Sequence, residues 1–315
     1  MLRRPGLSTV LLAGGLVLLV LTVAFALRGA GEGDEDAASP PTASDAGEQA
    51  TPPPEDPTLP PADGPLPTGA TALAEQLTAV TRRLRTAIEG YTEAEAQVRL
   101  GPSEEIELLA LRQQRIYFRL SPRDALGDLT VDLLSDDVRA EGRNTVAARR
   151  ALRRLAQEAP PPQDIQTVLP EAPGQLRRYY NVAEQRTGVS AELLTAVNFV
   201  ESAFGRLRAE GPDGARGPMQ LTPAEWEAFG MGGNIDASRD SIMAAAGLLA
   251  DAGAPGDARA ALITLRGSED YASAVLQHAS AIERDPRHFY ALYSWQLFVA
   301  DGEGGVERVT GPGRR

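Results

Sequence analysis

The sequence predicts a mainly helical, all-α protein, and three observations carry that prediction. From residue 71 onward apolar residues recur in steps of three or four, as in Leu73, Leu77, Val80, Leu84 and Ile88. Helix-start residues precede several of these runs: Ser190 ahead of Glu192, Ser238, Asp257 and Ser268. No strand pattern alternates with the helices, so no parallel sheet is indicated. The single strand expected lies in the aromatic tail "HFYALYSWQLFVADGEGG".

The elements follow in order. Residues 1–6 carry Arg3 and Arg4, and residues 7–27, "LSTVLLAGGLVLLVLTVAFAL", are uncharged and about the length that crosses a bilayer as a helix. The arginines place the N-terminus in the cytoplasm and the body of the chain outside. Two readings of this segment stand: a single-pass anchor in the cell membrane, or a signal peptide cleaved after the small residues around Ala24-Phe25-Ala26, which leaves a secreted protein. Residues 28–70 are rich in Pro, Ala and acid, too poor in large apolar side chains to form a core, and read as a disordered spacer. Residues 71–158 read as a helical stalk with further helices starting near Ser103-Glu104-Glu105 and Ser121-Pro122. It offers a surface for a protein partner, and Arg149, Arg150, Arg153 and Arg154 read as a solvated face of its last helix. A Pro-rich linker, 159–173, separates it from a second helical domain over 174–300, and 301–315 reads as a flexible tail. In that domain Gly188 divides two helices, and Gly-rich loops follow the second.

Composition narrows the chemistry. The 315 residues carry a net charge of −12 and no lysine, which argues against nucleic acid as a partner. There is no cysteine and there are two histidines, His278 and His288, whose spacing matches no ligand set. Thiolate metal sites, disulfides, cysteine nucleophiles and a Ser-His-Asp triad are thereby disfavoured, and no metal or organic cofactor is expected. His278 and His288 read as surface or packing residues. Chemistry, if present, runs on carboxylates, hydroxyls and arginines.

One carboxylate stands out. On a helix through "AELLTAVNFVESAFG", Leu193, Val197, Val200 and Phe204 form one stripe, and Glu201 falls at its edge. A carboxyl facing a core is costly unless it is paired, neutral, or kept for its raised proton affinity. The plain reading is a peripheral residue paired to Arg206 or Arg208. The functional reading is a general acid. Asp240 reads as a helix-start residue, and Asp236 is the candidate for a second acid. "GMGGN" reads as a turn, because no preceding strand or following Lys-Ser/Thr makes it a phosphate loop.

The order "VESAFGR", "GARGPMQLTPAEW", "GGNIDASRDSIMAAA" resembles the lysozyme-like catalytic domain of soluble-type lytic murein transglycosylases, relatives of goose-type lysozyme, in the form found in secreted actinobacterial members. The resemblance covers about residues 174 to 300. It implies cleavage of the β-1,4 bond between N-acetylmuramic acid and N-acetylglucosamine in peptidoglycan glycan strands, with closure of a 1,6-anhydro ring. Glu201 matches the family acid, which acts first as acid and then as base. The matching loop implies sugar contacts from Ser202, Gly214, Ala215, Gly217, Met219 and Gln220, with Tyr271 supplying a further polar contact. Read without the resemblance, the glycines are a tight loop and Met219 is core filler.

The chain also departs from the pattern. Leu265-Arg266 stand where the family has a Tyr-Asn pair, and Gly247-Leu248 stand where it has Asn-Tyr. Arg266 would lower the proton affinity of Glu201 if it faces it and leave it unchanged if it faces solvent. Two alternatives follow from different classes: a peptidoglycan-binding or scaffold protein of the cell envelope with impaired catalysis, and a hydrolytic lysozyme that would need Asp236 to position water.

Overall fold

The computed structural model of the chain describes residues 59–93, 101–155, 165–300 and 306–312. The N-terminus 1–6, the membrane or signal segment 7–27, most of the spacer and residues 159–164 of the Pro-rich linker lie outside the described residues. The described chain is mainly helical. Its α-helices are α1 Ala70–Glu93, α2 Glu104–Leu120, α3 Asp124–Leu133, α4 Asp136–Leu155, α5 Pro173–Thr187, α6 Ala191–Ser202, α7 Pro223–Phe229, α8 Ser238–Asp251, α9 Ala258–Arg266, α10 Glu269–Arg284 and α11 Arg287–Ser294. Two short antiparallel pairs complete it: β1 Gln166–Thr167 with β2 Leu207–Arg208, and β3 Phe298–Ala300 with β4 Val306–Arg308.

Local chemistry explains most boundaries. The side chains of Ser103, Ser190, Asp257 and Ser268 each accept a hydrogen bond from the backbone N–H three residues on, which satisfies a donor the helix leaves unpaired. Ser238 does not act this way: it is the first residue of α8, buried, and the helix starts from Ala237 without a side-chain cap. Gly188 ends α5 at φ 74°, a left-handed turn that glycine adopts without a Cβ clash.

The described helices between residues 70 and 155 share a core with the C-terminal half. One hydrophobic core runs from Leu73, Leu77, Leu84 and Ile88 of α1 through Leu152 of α4 to Leu176, Phe199, Tyr271 and Trp295. α10 packs along both α4 and α6. Trp295 packs against Tyr117 of α2 and Phe199 of α6, each with ring centroids 5.9 Å apart. Gln114 and Gln296 lock the halves through two buried bonds: Gln114 Nε2 donates to Gln296 O, and Gln296 N donates to Gln114 Oε1, both at 2.8 Å. The N-terminal helices pack on one another and also, through α4 on α10 and α2 on α11, on the C-terminal half.

Other segments expected to be loose are also tied down. Arg112 Nη1 and Arg115 Nη1 donate to Gly64 O at 2.9 and 2.8 Å, which anchors the end of the spacer. Thr167 of the linker pairs with Leu207, and Val306–Arg308 of the tail form β4. α6 is buried on all sides except at Glu192, so it is a core helix rather than an amphipathic one. Among the tail aromatics, 287–294 form α11 and the strand is shorter than expected.

The arginine cluster divides. Arg150 pairs with Asp128 and Arg154 with Asp270 at the surface, whereas Arg149 is buried with its guanidinium 3.8 Å from the Phe118 ring centroid. Burial, with Arg153 nearby, lowers the Arg149 pKa to about 9. His278 and His288 are both buried, their rings stacked with centroids 6.2 Å apart. They are packing residues, not surface ones.

Candidate active site

Glu201 is the penultimate residue of α6. Beyond it the backbone turns through three consecutive left-handed residues, Ala203 (φ 50°), Phe204 (φ 66°) and Gly205 (φ 78°). Such conformations cost about 1 kcal/mol or more each for residues with a Cβ. The turn is held by Ser202, whose Oγ accepts from Gly205 N at 2.7 Å and donates to Pro218 O at 2.5 Å. Ser202 is thus buried against protein, where it ties α6 to the Gly-rich loop rather than presenting a hydroxyl to a ligand.

That loop is built by short-range bonds. Gly211 N donates to Ala215 O, and Arg216 and Leu221 form a two-bond bridge. Gly217 has φ +77°, and a Cβ there would lie 2.2 Å from Ile235 O. Its glycine is therefore demanded by contact with the loop before α8, not by the approach of a sugar. Gly214 sits at φ +73° with no close backbone neighbour, and Ala215 is buried. Met219 is wholly buried, its N–H donating to Ser241 Oγ at 3.2 Å; its side chain is core. With Val197, Leu248, Leu265 and Tyr271 it lines an apolar hollow of about 20 Å³ beside Arg266, too small for a sugar. Gln220 is half-buried at φ 47°, and its side chain donates to Ala209 O and Gly217 O at 3.2 and 3.0 Å. What Gln220 turns toward Arg266 is its carbonyl.

The carboxyl of Glu201, 4% exposed, meets two donors on one oxygen. Tyr271 Oη donates to Oε1 at 2.7 Å, and Arg266 Nε donates to the same atom at 3.1 Å. Oε2 takes no hydrogen bond among the described residues. Arg266 extends the site: Nη1 donates to Glu225 Oε1 at 3.0 Å and Nη2 to Gln220 O at 3.2 Å. Glu225 is itself fixed, because α7 begins with a capping box in which Thr222 N donates to Glu225 Oε2 at 2.8 Å and Glu225 N donates to Thr222 Oγ1 at 3.3 Å.

Burial is the largest influence on Glu201 and pushes its proton affinity up. The Arg266 cation and the Tyr271 hydroxyl pull it down, Glu225 adds an upward push, and the balance stays above the ordinary carboxyl value. Burial also acts against the Arg266 charge, but the Glu201 and Glu225 carboxylates outweigh it, so the guanidinium stays protonated. Burial and the adjacent carboxylate hold the Tyr271 hydroxyl well above its usual range, which keeps it a donor.

Of the expected site residues, the structure brings Tyr271 directly to Glu201, and Gln220 through its backbone. Gly214, Ala215, Gly217, Met219 and Ser202 shape the surrounding loop. Glu201 does not pair with the arginines nearest in sequence: Arg206 donates to Trp295 O and Tyr293 O, and Arg208 faces the exposed Asp236 at 3.5 Å. Asp236 thus lies at the surface beside Arg208. Asp240 Oδ2 accepts from Asn234 N at 3.0 Å, outside the Glu201 cluster. Glu225 was missed in the sequence, although "TPAE" at 222–225 carries the capping-box signal that orients it. Among the described residues no group of acids and histidines is arranged to hold a metal. Comparison with protein families, curated proteins and solved structures finds no match to this chain.

Proposed function

We propose that this chain is a lytic transglycosylase of the cell envelope, acting on peptidoglycan outside the cytoplasm and tethered, where residues 7–27 are retained, by its N-terminal helix. The observation that carries the reading is the Glu201 carboxyl: buried, raised in proton affinity, with both local donors on Oε1 and Oε2 unpaired. A proton on Oε2 passes to the oxygen leaving C1 of N-acetylmuramic acid as that bond breaks. The resulting carboxylate, steadied by Tyr271 and Arg266, takes the proton of the C6 hydroxyl as O6 closes on C1. One acid suffices in this scheme and no water enters, unlike the two-carboxylate route of most glycosidases.

One observation favours a second reading. The Arg266 guanidinium lies on Glu201 where the resemblance expects an asparagine, and an ion pair there opposes the protonated state. A glycan-binding protein with impaired cleavage fits that contact. The test is to incubate the full chain and its Glu201→Gln form with isolated peptidoglycan and analyse soluble fragments by mass spectrometry. Anhydro-muropeptides from the first and none from the second support the transglycosylase. Hydrated ends dependent on Glu201 mean a lysozyme, and glycan binding without release from either form means a binding protein.

A further inference from the structure

We propose that Glu225 is a positioning residue of this site: it shares Arg266 with Glu201 and so controls how much positive charge the acid feels. This inference rests on the reading of Glu201 as the acid. The two carboxylates are 24 residues apart in sequence, on α6 and α7, and one guanidinium from the end of α9 bridges them, Nε to Glu201 at 3.1 Å and Nη1 to Glu225 at 3.0 Å. The bridge is nearly closed to solvent, with Arg266 13% and Glu225 18% exposed, so neither interaction is screened as a surface pair would be.

The capping box makes the arrangement directional. Glu225 Oε2 is held by Thr222 N, which leaves Oε1 facing Arg266 with little freedom to follow it. Arg266 also donates to the Gln220 carbonyl, on the side of the loop. Its contacts to Glu225 and to the Gln220 carbonyl thus hold it off Glu201, and its Nε contact holds it on. When a glycan strand enters and Glu201 must be protonated, Glu225 and Gln220 O are the groups on which Arg266 remains paired. The charged and titratable groups facing Glu201 from the elements around it are Arg266 of α9, Tyr271 of α10 and Glu225 of α7.

Removing the far end of the bridge and removing its centre should then have opposite effects. Glu225→Gln keeps the capping box through its amide oxygen, and turns an NH2 group toward Arg266, so that both the charge and the acceptor on that side are lost. Arg266 is left to Glu201 alone, and the Glu201 titration midpoint should fall by about one pH unit, an ordinary effect of a nearby cation. Arg266→Leu should raise it by about one unit or more. The midpoint is read without turnover, from the difference in urea unfolding free energy between each full-length form and its Glu201→Gln counterpart across pH. Fragment release at pH 7, in parallel, should change about tenfold per unit in the same directions.

A midpoint in Glu225→Gln that stays in place or rises overturns the proposal. So does a Glu225→Gln effect that persists at full size in the Arg266→Leu background, because Glu225 is argued to act mainly through Arg266. Opposite movements of the midpoint support it whether or not fragments appear. Absence of fragments from every form then counts against the proposed reaction alone.

Discussion

Replacing Gly217 by alanine isolates what the loop beside Glu201 demands. Two effects add. The backbone sits at φ +77°, where a residue with a Cβ pays about 1–2 kcal/mol. The new Cβ would also lie 2.2 Å from Ile235 O and 3.1 Å from Ile235 C, backbone atoms that cannot rotate aside, so the loop must move by about 1 Å at an overpacking cost of about 1–3 kcal/mol. Gly232 is the control, because it has the same φ of +77° and nothing within 4 Å of the would-be Cβ. Gly232→Ala bears the first cost only, and the change in unfolded-chain entropy is common to both. Urea unfolding should therefore place Gly217→Ala about 1–3 kcal/mol below Gly232→Ala. A displaced Gln220 carbonyl should also weaken its bond to Arg266. Equal stability of the two variants would refute the claim that contact with Ile235, rather than backbone conformation, requires the glycine.

Other outcomes follow from the same structure. Tyr271→Phe removes a buried donor to Glu201 Oε1 and should raise the Glu201 titration midpoint by about one unit while costing about 1–3 kcal/mol, both read from urea unfolding against pH. Burial, then His288 and Arg149, hold the His278 pKa well below its ordinary 6.5. The unfolded chain therefore binds a proton that the folded chain refuses, so stability is full above about pH 6.5 and declines as pH falls below it. His278→Phe should flatten that limb of a plot of melting temperature against pH, and an unchanged slope would assign it to other groups. A chain starting at residue 165 should lack a cooperative thermal transition by circular dichroism, because α10 loses α4 and Trp295 loses Tyr117. A sharp transition would restore the two-domain reading.

Much of the helical fold was legible along the chain. Leu73, Leu77, Leu84 and Ile88 signal α1 by spacing alone, and Ser190, Asp257 and Ser268 mark helix starts, because caps and periodicity are set by residues within one or two turns. The burial of Glu201 was also readable from its neighbours on α6. The ordered ends of the spacer and of the tail are less legible. Composition around residues 62–65 and 306–308 lacks a strong local pattern; the first stretch is held by the distant Arg112 and Arg115 side chains, the second by antiparallel pairing with the adjacent β3.

The sequence by itself determined the helical class, most helix starts and the presence of one acid in an apolar setting. Only the tertiary structure decided that both halves share a core, that Met219 and Ser202 face protein, that Arg149 is buried, and that Arg266 joins Glu201 to Glu225. The contacts that define the site span 65 residues from Arg266 to Glu201, 41 from Arg266 to Glu225 and 70 from Tyr271 to Glu201. No helical or strand period reaches that far. An arginine's direction depends on which carboxylates the packed helices bring within its reach, and here α6, α7 and α9 bring two.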